Sequence, residues 1–539
     1  MFMSKKKNLS TFYIIAVIVL FAVCSLAGII RKQETMILGA FIWCLILAGA
    51  WFFRPSSPVH RVQMDARNVR HNLIMVFLIV ALILLCTVLM SLSPHWNGTY
   101  ASEVSEYEEM TDAILKGQIW LDIEVDPRLA ALENPYDIHA RDAIPGLREA
   151  WDHAFYNGRY YMYFGIVPVF LVFLPMYFLT GTIILSYHAT QIIAAFTIIG
   201  LFLFFKAISQ TFFPSLRFSL YIFICIISTS IIMWYVVCCP ALYCTATLSG
   251  VCLMIWSLYF FTNAVFIQKN ENCQIAMAFG GSIFGALVIG CRPPIAIANI
   301  CVLPLLIVYL HSKPITPKLI WKLVLAALPY VVIIGLLLFY NKARFDSFFE
   351  FGQSYQITLE DQHEYASFLS VFSWEKLLHD LQDTFFKISP LKTTFPYISY
   401  SGLFVSYPVL FFIFLLPFHP VLASAKRAHL TGFLCSLFIV PVLSILMDGL
   451  WSPFLLERYK LDFNFLLCIL LFFSFGFLSA NLTPAGECRL AFITYFFTVS
   501  AVLVSLLFFL IPMDYNYTYY YGEKTLDLFD SILFFWRYI

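Results

Sequence analysis

The feature that most constrains this chain is a succession of long apolar blocks with almost no charge inside them. Fourteen such blocks stand near residues 11–30, 36–53, 73–92, 161–179, 182–205, 218–238, 243–266, 275–291, 294–310, 323–340, 400–418, 431–447, 463–480 and 491–511. A helix rising about 1.5 Å per residue needs roughly 20 residues to cross about 30 Å of hydrocarbon. The blocks therefore read as membrane-spanning helices. With 61% hydrophobic and 12% charged residues, the chain falls outside the range of soluble domains. The sequence predicts an all-α polytopic membrane protein of about 13 transmembrane helices with two ordered outer loops.

Sidedness follows from Lys and Arg, which concentrate in short cytoplasmic connections. Lys5, Lys6 and Lys7 put the N-terminus in the cytoplasm, and the first apolar stretch is too long for a cleaved leader and stays as an anchor. Arg54, Arg61, Arg67 and Arg70 mark the next inner connection, as do Lys313, Lys318 and Lys322, and then Lys426 with Arg427. The segments 93–160 and 341–399 then both lie outside, and the seven blocks between them cannot all cross. Block 161–179, interrupted by Pro168 and Pro175, is expected to be the incomplete one. Four parts result: 1–72, two helices and a basic cytoplasmic loop; 73–340, a transmembrane module with the outer loop 93–160; 341–399, the second outer loop; and 400–539, the C-terminal helices and a short outer tail.

Composition excludes several classes. A net charge of +1 with no basic stripe gives no nucleic-acid surface. The cysteines fall almost entirely inside apolar blocks, where a thiol acts as a small hydrophobe, so neither a disulfide framework nor a zinc site is indicated. No Walker A, GxSxG, HExxH or dinucleotide fingerprint stands in a credible context. Gly281 and Gly285 have the spacing of close helix packing, and Pro240 marks a loop or kink. Asn97 to Thr99 forms a glycosylation sequon that matters only in a eukaryotic secretory pathway.

The chemistry-bearing residues gather in the first outer loop, which holds 13 of the 32 acidic residues against five Lys and Arg. Ser105 to Glu108 matches a capping box, Gly117 a helix stop, and Tyr107, Met110, Ile114 and Leu115 recur at helical spacing between them. This predicts a short amphipathic helix on the membrane surface, with Glu103 and Glu106 at its start. The loop closes with Trp151, Asp152, His153, Ala154, Phe155, Tyr156, Asn157, Gly158, Arg159, Tyr160 and Tyr161, aromatic rings around one acid, one imidazole and one cation. Asp137, His139 and Asp142 would admit a divalent cation, and no metal ligand or other cofactor is assigned.

These segments resemble bacterial members of the GT-C superfamily of membrane glycosyltransferases, which includes protein O-mannosyltransferases and lipid A aminoarabinose transferases. The resemblance runs over about residues 73–480 and rests on the order of short motifs. These are the acidic helix SEVSEYEEMTDAILKGQIWLD, NPYD at Asn134–Asp137, DHAFYNGRYYMYFGIVP, CRPP at Cys291–Pro294, YNKARFDSFFEFGQSY at Tyr340–Tyr355, and ERYKLDF at Glu457–Phe463. The superfamily's Asp-Glu or Asp-x-Asp pair is not literal here, and helices 11–53 are an addition to its common module.

The resemblance implies a sugar donor on a polyprenyl phosphate or pyrophosphate and an inverting transfer to a glycan, lipid or protein acceptor at the outer face of the cell membrane. Such a transfer needs a carboxylate base, for which Glu106 is the first candidate, with Glu103 and Asp152 behind it. The leaving phosphate needs cations and polar groups, for which Arg159, His153, Tyr161, Arg292, Arg344, Arg458 and Tyr459 are candidates. Two other readings stay open: a transporter or flippase of lipid-linked saccharides, and a polymerase or ligase of surface polysaccharide.

Overall fold

The computed structural model describes residues 2–30, 34–65, 67–93, 105–363, 372–452, 455–511, 513–515, 517–519 and 523–538. Glu103 and the sequon at 97–99 lie outside them. The protein is an all-α polytopic membrane protein. Among the described residues, eleven helices are long and apolar enough to cross a membrane, and a pair bent by 72°, Pro408–Leu415 with His419–Arg427, makes a twelfth if it is one span.

In chain order the helices are α1 (Phe2–Ile30), α2 (Glu34–Phe52), α3 (Val69–Leu92), α4 (Glu106–Leu115), α5 (Val169–Thr180), α6 (Ser186–Phe212), α7 (Phe218–Met233) and α8 (Leu242–Ile267). There follow α9 (Glu271–Gly290), α10 (Pro293–His311), α11 (Pro317–Phe345), α12 (Trp374–Phe386), the bent pair α13, α14 (Thr431–Leu450), α15 (Glu457–Asn481), α16 (Pro484–Phe509) and α17 (Glu523–Leu533). Local chemistry sets several starts. Asn68, Asn270, Thr316 and Thr483 accept backbone N–H bonds as N-caps, the last two followed by proline at the first helical position.

α15 is apolar on every side and forms the centre, as a helix without a polar face must. Phe205 of α6 stacks on its Phe472 at 4.2 Å, and Gly476 lets the ring of Phe213 reach its backbone. The Asn464 amide in its midst donates to the Ile231 carbonyl of α7 at 2.7 Å. Gly281 and Gly285 do provide close packing: Ser257 donates to the Gly281 carbonyl at 2.8 Å and Asn299 to that of Gly285 at 3.1 Å.

Block 161–179 becomes a β-hairpin strand, a loop and the short α5, which opens with a π-turn at Val169–Phe173. α5 begins and ends at one end of the bundle. Gly165 lies against the Gly290 and Cys291 carbonyls, and the Ser186 N–H after α5 donates to Glu108. α7 is shorter than its block, because the chain leaves the helix after Met233 and runs in turns to the buried Pro240.

Two expectations for α4 need correction. The helix runs from Glu106 to Leu115 as its spacing predicts, and Gly117 follows at φ +77°. Its packing is not that of a helix resting on lipid alone: Glu106, Tyr107, Glu108, Met110, Thr111 and Ala113 are all buried in protein. The capping box is also rewired. Ser105 makes no side-chain cap, and Glu108 instead accepts from the Ser105 hydroxyl and from the Ser186 N–H at 2.5 Å, tying α4 to the start of α6.

The two long loops meet at the same end of the bundle. The Asp152 N–H donates to the Ile357 carbonyl, and the Ile357 N–H donates to the His153 carbonyl, each at 2.9 Å. Asn134 donates to Asp361 at 2.7 Å. Arg141, 2% exposed, spans the junction, donating to the carbonyls of Pro135, Tyr136 and Thr358 and pairing with Glu149 at 2.7 Å. At the opposite end Met64 and Leu216, and Val62 and Phe218, pair their backbones beside the Arg217–Glu487 ion pair. That end carries the basic connections of residues 53–68.

Removing one partner of a buried ion pair costs about 3 kcal/mol. Arg141→Met is expected to lower stability by that order and to speed hydrogen exchange at the Asp152 and Ile357 amides specifically. Unchanged exchange at both amides would show that Arg141 does not clamp the loops.

Candidate active site

The hairpin Ala154–Tyr156 and Arg159–Tyr161 turns through Asn157 (φ +49°) and Gly158 (φ +70°), the left-handed pair that a two-residue hairpin turn requires. Its entrance residue, Asp152, is also left-handed at φ +64°, where a non-glycine residue is strained and must be held from outside. The pairing with Ile357 holds it. The Asp152 carboxylate then meets the Tyr243 hydroxyl of α8 and the Gln356 amide at 3.1 Å, both of which donate to it. Burial pushes its pKa up to about 6, against the opposing pull of Arg458 and then His153.

His153 faces α4. Its Nδ1 bonds the Trp151 carbonyl at 2.7 Å and its Nε2 the Glu109 carboxylate at 2.8 Å. Burial pulls the imidazole down, but Glu106 and Glu109 outweigh it and raise the group to about 9, so it is a cation at neutral pH. Glu106 is 1% exposed. Its Oε2 accepts the Tyr163 N–H at 2.6 Å, and its Oε1 has no hydrogen-bond partner among the described residues. Burial drives it up to about 8, with His153 and the Tyr163 N–H opposing.

A second layer comes from the span ends. Arg458 lies over the Tyr243 ring at 4.0 Å and over Tyr459 at 5.6 Å. Arg292 lies 5.3 Å from the Tyr459 ring, with its Nε on the Asp462 carboxylate at 2.7 and 2.9 Å. Tyr163 joins the layers, since its hydroxyl is within electrostatic reach of Tyr459, Arg292, Asp152 and Arg458.

The structure thus brings together Glu106, Asp152, His153, Arg292, Arg458 and Tyr459. Arg344 and Tyr161 lie beside them. Arg344 donates to the Met162 carbonyl at 2.7 Å and to Asn341 at 2.8 Å, over the Tyr340 ring, while Tyr161 packs edge-on against Phe345. Arg159 is exposed at the hairpin tip, 4.1 Å over Trp120, outside the cluster. Asp137 caps the turn Ile138–Asp142, and among the described residues no group of three acidic, His or Cys side chains is placed to hold a metal ion.

Sequence reasoning passed over Tyr163, Tyr243, Gln356, Glu109, Asp448 and Asp462. Acids at the ends of apolar helices are a readable signal for the last two. Gln356 and Tyr243 carry none, because only the closed loops bring them to Asp152.

No family model matches the chain, and neither a curated protein nor a solved structure is found to be similar to it.

The Glu106 shift has a measurable sign. The folded protein holds this proton more tightly than the unfolded chain, so the stabilisation is complete below 4.5 and is lost as pH rises toward about 8. Across that window the wild type is expected to lose stability relative to Glu106→Gln by about 1 kcal/mol per pH unit, read from thermal unfolding in detergent. Parallel curves would mean that Glu106 is ionised in the folded state.

Proposed function

We propose that this protein is a membrane glycosyltransferase of the GT-C kind. It moves a sugar from a polyprenyl phosphate or pyrophosphate donor to an acceptor hydroxyl at the extracytoplasmic face of the cell membrane, with inversion. The observation that carries the reading is the junction of the two loops, which gathers a strained carboxylate, an imidazolium and two arginines at one end of an oily helical body.

Thirteen crossings fit this arrangement: the eleven long helices, the bent α13 and the short α7, with α5 turning back. Six helices then separate the loops, an even number, which agrees with both lying on one side. The basic connections at the other end place the N-terminus in the cytoplasm by the positive-inside trend.

In the transfer, the acceptor O–H gives its proton to a carboxylate as the oxygen attacks the anomeric carbon. The bond from that carbon to the phosphate oxygen breaks, and the electron pair leaves with the phosphate. What supports Asp152 ahead of Glu106 as base is charge state and access. Asp152, near 6, is ionised at neutral pH and part-exposed, whereas Glu106, near 8, is mostly protonated and buried. Arg458 and Arg292 face the developing phosphate charge in a site of low dielectric, where fixed cations act most strongly. Glu109 pairs with the His153 imidazole at Nε2.

The buried acids Asp448 and Asp462 at span ends favour a second reading, a proton-coupled carrier of lipid-linked saccharides. One assay separates them. Purified protein in lipid vesicles receives polyprenyl-phosphate sugars, and glycosidic product is measured for wild type, Asp152→Asn, Glu106→Gln and Glu103→Gln. Asp152→Asn is expected to lower kcat by at least about a hundredfold with donor binding retained. The acid limb of the wild-type kcat/KM profile should fall near pH 6, the Asp152 value. A limb near 8 assigns Glu106 instead, and translocation without product removes the enzyme reading.

A further inference from the structure

Beneath the Arg292–Asp462 pair lies a carboxylate that the transfer does not use. Asp448, near the end of α14, is 1% exposed, and among the described residues neither of its oxygens has a hydrogen-bond partner. Asp462, Arg292 and Lys376 face it closely enough to act on its charge, and it in turn acts on Tyr459. Both cations are already committed. Arg292 gives its Nε to Asp462, and Lys376, reaching in from α12, pairs with Asp380 at 2.7 Å and donates to the Gly449 carbonyl at 3.4 Å.

Counting charge in this pocket gives three acids, Asp380, Asp448 and Asp462, against two cations, Lys376 and Arg292; Arg458 also acts on Asp462 but is shared with Asp152, so including that pair leaves the balance the same. One negative charge is in excess, at the carboxylate with no donor. An isolated buried carboxylate is so costly that such a group neutralises instead.

We propose that Asp448 is a proton-binding site, occupied while Asp462 holds Arg292, and that the two acids compete for that one guanidinium. The proton has a consequence that rests on the donor reading above. With Asp448 neutral, the Arg292 guanidinium, anchored through Nε, faces one acid and has charge to offer a phosphate headgroup. Once Asp448 ionises, Arg292 faces two acids and an incoming phosphate meets a net negative pocket. Phosphate binding and proton binding at Asp448 therefore favour each other, as reciprocal linkage requires.

The proton is read directly by infrared difference spectroscopy on the full chain in lipid nanodiscs, which does not depend on any enzymatic activity. Wild type minus Asp448→Asn should show the carbonyl stretch of a protonated, buried carboxyl at neutral pH. Asp462→Asn supplies the test a merely structural role would not pass. With its competitor gone, Asp448 takes Arg292 and ionises, so the band should vanish although Asp448 is intact. Absence of the band in wild type, or its persistence in Asp462→Asn, overturns the proposal, and a folded, monodisperse protein in each case is checked by size exclusion.

The coupling is read with polyprenyl phosphate in the same nanodiscs and with inorganic phosphate as a second probe. In wild type the affinity should fall by up to about tenfold per pH unit once Asp448 ionises, and the fall should be absent in Asp448→Asn, which shares the probe's own titration. Equal pH profiles overturn the coupling. Loss of the wild-type band with phosphate bound overturns it as well, whereas a band present with no phosphate bound at any pH counts against the donor reading alone.

Discussion

Inside a bilayer the hydrocarbon offers no hydrogen bonds and little dielectric, so every polar group the chain keeps there must be answered by the chain itself. This requirement organises the whole molecule. Its spans satisfy their backbones as helices, and the side chains that remain polar find carbonyls across helix contacts, as Asn464 and Ser257 do. The same demand explains the loops. Arg141 is almost wholly enclosed, and it is tolerable there because three carbonyls and Glu149 surround it, two of those carbonyls from the first loop and one from the second. A charge that can be satisfied only when both loops are in place makes their closure cooperative. That closure fixes the peptides on both sides of Asp152 and sets the direction of its carboxylate.

How much of this was legible depends on how local the cause was. Apolar length gave the spans and Pro168 and Pro175 marked the incomplete block, since each signal acts within a few residues, whereas the hairpin at Asn157–Gly158 was not read although its turn signal is just as local. The Ser105–Glu108 spacing was read correctly as a helix start and wrongly as a reciprocal cap. The nearby N-terminus of α6 offers Glu108 an N–H and a hydroxyl, and that tertiary contact wins over the local one. Tyr107 and Met110 suggested a helix on the membrane surface for a related reason: an apolar stripe fits a protein interior as well as a membrane surface, and only packing decides between them. Asp448 and Asp462 were visible as acids at block ends, but their meaning lies in a charge count over four elements that no spacing encodes.

The arginines show why residue type alone was an incomplete guide. A snorkelling side chain keeps its head in water, yet Arg292, Arg344 and Arg458 lie over aromatic rings within the protein. Stacking on a ring face neutralises part of the desolvation penalty while leaving the in-plane N–H donors directed outward. Arg344 directs its donors to Met162 and Asn341 and so acts as a brace for the hairpin. Arg292 uses one edge on Asp462. Tyr459 lies within range of both Arg292 and Arg458 and so gives the two cations a common aromatic face.

The protonation states of the cluster follow from the same scarcity of solvent. Two carboxylates of similar chemistry, Glu106 and Asp152, are pushed to different values because one is wholly enclosed and the other has Arg458 in view and two donors on its oxygens. His153 pairs with Glu109 through its Nε2 and acts on both of them. In such a medium a substrate carrying its own negative charge changes the terms for every group it approaches, since the interaction energy scales inversely with the local dielectric. An anion near Arg458 withdraws the cation's support from Asp152 and raises that carboxylate's proton affinity. In the proposed glycosyl transfer, the leaving group's own charge then makes the base stronger, and one arginine serves both the phosphate and the proton transfer to Asp152.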